Sequence, residues 1–315
     1  MKLSVVMVTY NHELYIAQAL SSVLAQRTNF DFEIIVAEDC STDGTRAIVM
    51  DFARRYPGKI LPLLRERNLG MMRNFKEALA ASSGSYVALL DGDDYWIRED
   101  KLQAQVDFLD SHPDHAVCCT RVQFRDEINH SEPYIWPPKV SGSYPLSDLL
   151  ETYCWIATCS VMYRWGSVGP LPDWMLPLKL GDVPLNILVA SFGKIHLMDE
   201  VMGVYRIHSG GVYSSLSRTD QLLAAKQMHM AFRKHLDPQY TNLVRQKIAR
   251  TCLDLAITAR SNRSRSQTAR HLFSYALNGC WELPGSRRLF AGLAAYVLIG
   301  SWYKVFSMAR QVEPN

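Results

Sequence analysis

The sequence predicts an α/β fold with a mainly parallel central sheet and a helical C-terminal region, and three observations lead there. Short apolar runs alternate with helically periodic segments through the first hundred residues, which is the pattern of βαβ units. Those runs are continuously apolar, as strands are when helices cover both faces of their sheet. From Thr219 onward strand-like runs give way to helical patterning, and the charge balance reverses.

The elements follow in order. Residues 3–8 form an apolar, β-branched run that ends in Thr9, Tyr10, Asn11 and His12. Residues 13–26 place Ile16, Ala19, Leu20, Val23 and Leu24 at helical spacing. Residues 34–37 are a second apolar run, stopped by Glu38 and Asp39. Ser41, Thr42 and Asp43 offer N-caps for a helix whose apolar face is Ile48, Val49, Phe52 and Ala53. Residues 60–64 read as a third strand and 72–81 as a helix; residues 86–90 are a fourth strand that runs into Asp91. A helix is expected from about Ile97. Residues 116–124, 158–163 and 193–206 are strand-like, the last with a turn near Asp199 and Glu200. Residues 131–145 carry four prolines and read as a loop. Helices are expected at 219–235, 239–260, 266–279 and 287–310, with a basic linker at 262–266.

Composition narrows the function classes. Residues 1–217 hold 19 Lys and Arg against 26 Asp and Glu, a net of −7, whereas residues 218–315 hold 15 against 5, a net of +10. The expected domains are therefore 1–217, divided into halves at 1–110 and 111–217, and a basic region at 218–315. The basic end favours anionic partners or is a set of solvated helix faces, and no nucleic-acid reading motif accompanies it. Seven cysteines show no metal-ligand or disulfide spacing, which fits buried thiols in a reducing compartment. No signal-peptide layout is present, so a cytoplasmic location is expected.

In open α/β sheets ligands sit at the carboxyl ends of the strands. Here those ends are polar: Thr9-Tyr10-Asn11, Glu38-Asp39 and Asp91-Gly92-Asp93-Asp94. Three carboxylates within four residues repel one another, and a hard cation such as Mg²⁺ or Mn²⁺ relieves them. The bland alternative is an acidic turn capping the helix near Ile97. Tyr95 and Trp96 exclude an EF-hand loop, and neither GxGxxG nor GxxxxGK[ST] occurs, so dinucleotide dehydrogenases and P-loop NTPases are disfavoured. Phosphate charge would then fall to a metal and to cations such as Arg73 or Arg206.

Val8-Thr9-Tyr10-Asn11, residues 38–45 (EDCSTDGT), Asn68-Leu69-Gly70 with Arg73-Asn74, and Leu90-Asp91-Gly92-Asp93-Asp94 together resemble the family 2 glycosyltransferases. The likeness is strong over residues 1–110 and looser over 111–213. It implies the GT-A fold and inverting transfer of a sugar from a nucleotide-diphosphate donor, expected to be a UDP-sugar. The implied acceptor is a glycan or lipid-linked glycan of cell-surface polysaccharide synthesis. Thr9, Tyr10, Asn11, Glu38, Asp39, Asn68, Arg73 and Asp91 are implied to bind the nucleotide sugar, with Asp39 on the base and Asp91 near ribose and diphosphate. Asp93 and Asp94 would hold Mg²⁺ or Mn²⁺. Glu38 and Cys40 depart from the family's commoner Asp and small residue.

Asp182, in Gly181-Asp182-Val183-Pro184, resembles the family's catalytic base, with Gly181 in place of a Glu; the alternative is a cap for a helix at 183–192. Residues 204–208 (VYRIH) are similar to the family's Tyr-Arg-x-His segment, which implies that Arg206 and His208 bind the nucleotide sugar and that one or the other closes over the diphosphate. His12 reads as a surface residue. Trp136, Trp155 and Trp174 are open to either acceptor stacking or packing. Residues 289–303 carry no charge and are too short to span a bilayer; with Arg287, Arg288 and Lys304 they are expected to seat 287–310 on the anionic inner face of the plasma membrane, or to pack as a buried helix. Two other functions fit acidic strand ends: nucleotidyl transfer to a sugar phosphate, and a degenerate sugar-binding protein.

Overall fold

The computed structural model describes residues 1–152, 155–166, 168–211 and 216–277, together with Ala294 and Val297. The expected helix at 287–310 and its membrane seat lie outside the described residues, those two positions excepted. The chain forms two compact units, Met1–Ser214 and Ser215–Asn315.

The first unit is built on β1 (Leu3–Thr9), α1 (Ile16–Leu24), β2 (Phe32–Glu38), α2 (Thr45–Arg55), β3 (Ile60–Leu64), α3 (Met71–Ala80) and β4 (Tyr86–Leu89). β1 pairs in parallel with β2 and β4, and β2 with β3. Every residue of β2 and β4 is buried, as the unbroken apolar runs require when helices cover both faces. The helices attach through the expected stripes; Ile16, Ala19, Leu20 and Val23 of α1 and Val49 and Phe52 of α2 enter the core.

Beyond β4 the sheet becomes mixed. It continues through β5 (Tyr95–Trp96), α4 (Lys101–Ser111), β6 (His115–Asp126), β7 (Tyr134–Trp136), β8 (Gly142–Tyr144), α5 (Leu146–Glu151), β9 (Met162–Arg164), α6 (Asp182–Ala190) and β10 (Lys194–Ile207). The strand order is β3-β2-β1-β4-β9-β6-β10-β5, with β7 on β6 and β8 on β10. β9 runs antiparallel to both β4 and β6, and β10 runs parallel to β6.

Four expectations are corrected here. The 131–145 segment contains β7 and β8, short strands that pair with β6 and β10 between its prolines. Residues 193–206 make one strand, and the turn expected near Asp199 is a set of register shifts between Leu197 and Gly203. Residues 158–160 form a 3-10 turn, not the start of β9. The helix after the acidic turn begins at Lys101, because Tyr95 and Trp96 pair with Val204 and Gly203.

The second unit contains α7 (Arg218–His235), α8 (Thr241–Ser261) and α9 (Arg265–Leu277). Ser217 caps α7 by accepting from the Asp220 N–H. Val244, Ile248, Cys252, Leu255 and Ala256 of α8 are buried, as are Leu222, Met228 and Phe232 of α7 and Leu272 and Tyr275 of α9. Among the described residues no helix is long and apolar enough to cross a membrane.

Candidate active site

The ends of β1, β4 and β10 converge because small residues let them. A Cβ on Gly92 would lie 2.5 Å from Thr9 Oγ1 and 3.0 Å from His12 Nδ1, so glycine is required where the β4 end crosses the β1 end. Asn11 supports the turn in the left-handed region, with φ 55°, a conformation asparagine tolerates. Its Oδ1 accepts the Thr42 N–H at 2.8 Å, and the His12 N–H donates to Thr45 Oγ1 at 2.7 Å, which ties the β1 end to the start of α2.

Asp91, Asp93 and Asp94 each offer a carboxylate oxygen within 4.8 Å of the others. Burial first, then Asp93 and Asp182, raises the Asp91 carboxyl well above its ordinary value. Burial, Asp93 and Asp91 do the same to Asp94. Burial also pushes Asp93 upward, but the His208 hydrogen bond and the nearby His12 and His208 rings hold it below the usual carboxylate value. Asp94 accepts the Arg206 N–H at 2.8 Å, while its other oxygen is buried and has no hydrogen-bond partner among the described residues. The site thus holds three oxygen donors, two carboxyls strained by burial and like charge, and one orphaned oxygen. That donor set fits a hard divalent cation. It enlarges the expected pair, since Asp91 shares the cluster.

Asp182 is the first residue of α6, after Gly181, and its carboxylate accepts the first-turn N–H groups of Asp182 and Val183, so it also serves the helix start. A Cβ at Gly181 would approach Met72 Sδ to 2.9 Å, which fixes the start of α6 against α3. Tyr163 of β9 donates to Asn186 of α6 at 2.6 Å and anchors the helix. Burial raises the Asp182 carboxyl, opposed by its own and the Val183 N–H groups. Asp182 also raises Asp91, so the two carboxylates share one electrostatic environment.

His208 Nδ1 accepts the Gly210 N–H at 3.3 Å, leaving Nε2 to donate to Asp93 Oδ2 at 2.9 Å. His12 Nε2 lies 3.5 Å from the same oxygen, so the surface reading of His12 is wrong. Its position three residues past Thr9, at a polar strand end, was the available signal. Arg206 is also corrected. It is 7% exposed; its guanidinium donates to the Asp93 carbonyl and Gln18 Oε1, lies 3.3 Å from Glu127, and sits over the Tyr95 ring at 4.4 Å. It braces the acidic turn from behind and does not face an open cleft.

Glu38 is a further correction. It is 0% exposed, accepts the Ser41 N–H at 2.6 Å and pairs with Arg46 Nε at 2.5 Å. Glu38 thus holds the turn after β2. Asp39 accepts the Leu69 and Gly70 N–H groups at 2.7 and 3.0 Å and so docks the 68–70 loop against the β2 end. Asn68 closes that loop by accepting the Gly70 N–H at 2.9 Å. Thr9 is buried, with Oγ1 3.3 Å from His12 Nδ1. Tyr10 is 41% exposed, and Arg73 is exposed and makes neither ion pair nor hydrogen bond among the described residues.

The family model for glycosyl transferase family 2 matches residues 4–170. An uncharacterized protein of Mycobacterium tuberculosis is 42% identical over 217 residues, covering 68% of this chain and 61% of its own length. The matched stretch thus spans about three fifths of that relative. An uncharacterized glycosyltransferase of Nostoc is 31% identical over 241 residues, covering 72% of this chain and 71% of that protein. The solved structure of Staphylococcus aureus TarS 1–349 in complex with UDP-GlcNAc superposes with a TM-score of 0.67 at 20% identity, over 99% of this chain and 92% of that one. That likeness shows the fold, a mainly parallel sheet of GT-A type followed by C-terminal helices. With more than half of its length matched by the family model, the chain belongs to glycosyltransferase family 2.

Proposed function

We propose that the chain transfers a sugar, with inversion, from a nucleotide-diphosphate donor to a carbohydrate or lipid-linked glycan acceptor in surface-polysaccharide synthesis. The observation that carries this reading is the acidic cluster itself: Asp91, Asp93 and Asp94 within 4.8 Å, in electrostatic contact with Asp182. Asp91, Asp93 and Asp94 would hold Mg²⁺ or Mn²⁺, which when bound neutralises charge on the departing diphosphate. A UDP-sugar is favoured by the UDP-GlcNAc complex of the TarS neighbour.

Asp182 takes the proton of the acceptor hydroxyl. The oxygen then bonds to the anomeric carbon as the bond from that carbon to the diphosphate oxygen breaks, and configuration inverts. A carboxylate whose proton affinity is raised by burial is a better base for this step than a solvated one. Tyr10 offers an exposed ring to the base, and the lone pairs Asp39 keeps beyond its two backbone contacts can accept a base N–H. Thr9, Asn11 and Asn68 line the pocket, the free guanidinium of Arg73 meets phosphate oxygens, and His208 with His12 holds Asp93 in place.

A thermal-shift panel of UDP, GDP, ADP and CDP with and without Mn²⁺ tests the reading. UDP with Mn²⁺ should raise the melting temperature most, and Asp93→Asn should remove the metal-dependent part. Indifference to every nucleotide, with and without metal, would sink it.

A further inference from the structure

Tyr205 of β10, Phe124 of β6 and Tyr134 of β7 occupy directly paired positions on three adjacent strands. Their side chains therefore share one face of the sheet. The Tyr205 and Phe124 rings stack at 4.6 Å and 27°, and the Phe124 and Tyr134 rings at 5.1 Å and 15°. Trp136, two residues beyond Tyr134 and on the same face, stands across Phe124 at 6.0 Å and 69°. The row has two unlike ends. At the inner end Tyr205 adjoins the acidic site, since the N–H of the next residue, Arg206, donates to Asp94 Oδ1 at 2.8 Å. At the outer end Tyr134 is 47% exposed, and among the described residues its ring stacks on one aromatic ring, that of Phe124, while its hydroxyl makes no hydrogen bond.

The row ends on a ring that stands half in solvent and so presents an aromatic face to a ligand. A ring stacked on Phe124 has lost part of its rotamer freedom, so it offers apolar surface to a ligand at reduced entropic cost. The area at Tyr134 is far too small for a stable protein interface, and it is continuous with the carboxylate site through Phe124 and Tyr205. Both points favour a substrate over a macromolecular partner. Pyranose rings with equatorial substituents present a flat face of C–H groups, which complements an aromatic face.

We propose that Tyr134, flanked by Trp136, is a distal acceptor subsite that stacks on a pyranose ring of the acceptor chain. This rests on the glycosyltransferase reading. Tyr134 stands two ring spacings outward from Tyr205, so the sugar it holds is not the unit whose hydroxyl faces Asp182. The acceptor is accordingly an oligomer, and a chain reaching Tyr134 binds better than a single sugar.

Saturation-transfer NMR on the full chain, with UDP and Mn²⁺ present, tests this using methyl β-D-glucopyranoside, methyl N-acetyl-β-D-glucosaminide and chitotetraose as probes and sorbitol as an acyclic control. The pyranosides should bind in the millimolar range, chitotetraose at least several-fold more tightly, and sorbitol not at all. Tyr134→Ala should weaken chitotetraose about tenfold, Tyr134→Phe by less than twofold, and both should bind UDP as the parent does. UDP binding without pyranoside binding, or equal chitotetraose affinity in Tyr134→Ala, overturns the subsite and leaves the donor reading intact. Pyranoside binding lost in Tyr134→Ala, in a protein that binds no nucleotide, keeps the subsite and overturns the donor reading instead.

Discussion

Single residues at the β4 end carry the chemistry, and the sequence reveals them unevenly. Asp91, Asp93 and Asp94 are legible because three carboxylates directly follow a buried strand, and the bland alternative, a cap for a helix near Ile97, meets a helix that begins only at Lys101. Glu38 looks equally exposed on paper, yet it is 0% exposed, because Arg46 reaches back from α2 to pair with it. Nothing local announces that pairing. The two carboxylates therefore predict opposite phenotypes. Asp182→Asn should cut transfer by a factor on the order of 10² to 10⁴ while UDP affinity and melting temperature hold, measured by donor turnover beside a UDP titration. Glu38→Gln should do the reverse. Removing one partner of a buried pair costs a few kcal/mol, and the partial exposure of Arg46 lowers that to roughly 2 kcal/mol in urea unfolding, with UDP affinity unchanged below the transition. Transfer at the parent rate by Asp182→Asn, or weakened UDP binding by well-folded Glu38→Gln, would reverse these assignments.

At the scale of elements, local periodicity gives β1 to β4 and α1 to α3 almost as they stand, since each run is long enough to declare its period. It misses β5, β7 and β8, which are two or three residues long and exist only through partners distant in sequence. α4 shows a second limit. Lys101 opens this helix and is 0% exposed; its ammonium donates to Gln105 at 2.7 Å and lies 4.4 Å from the centre of the Trp96 ring. Burial lowers its pKa from 10.5 to about 8. Below pH 8 both folded and unfolded chains carry the proton, so the full burial cost, up to roughly 3 kcal/mol, is present at neutral pH. Between about pH 8 and 10.5 the folded chain gives up that proton first, and stability rises. Lys101→Met should raise stability at pH 7 by about 1–2 kcal/mol, after the lost Gln105 and Trp96 contacts are discounted, and should abolish the rise above pH 8. Urea midpoints at pH 7 and pH 9.5 decide it; a destabilised Lys101→Met at pH 7 would mean that the cation is held more favourably than its burial implies.

At the scale of the whole molecule, charge and patterning separate the acidic first unit from the basic helical one, and each unit should answer to a different variable. On the proposed reading, nucleotide with metal should act on the acidic strand ends of Met1–Ser214. Acid acts on α7 and α8 through His229, which is 4% exposed, with Nδ1 3.3 Å from Thr251 Oγ1. Burial, helped by Lys247, lowers the His229 pKa from 6.5 to about 4. The unfolded chain then binds a proton at pH 5 that the folded chain refuses, so stability is full above pH 6.5 and falls as pH drops toward 4. By pH 5 the loss is roughly 2 kcal/mol, equivalent to about 30-fold faster opening-limited hydrogen exchange in α8 once the intrinsic rate is corrected for pH. His229→Leu removes the titrating group and should flatten that response between pH 7 and pH 5, while UDP with Mn²⁺ should slow exchange in β1 and β4 and leave α8 unchanged. Exchange in α8 that ignores pH in the parent, or that still accelerates in His229→Leu, would take the acid sensitivity away from this histidine.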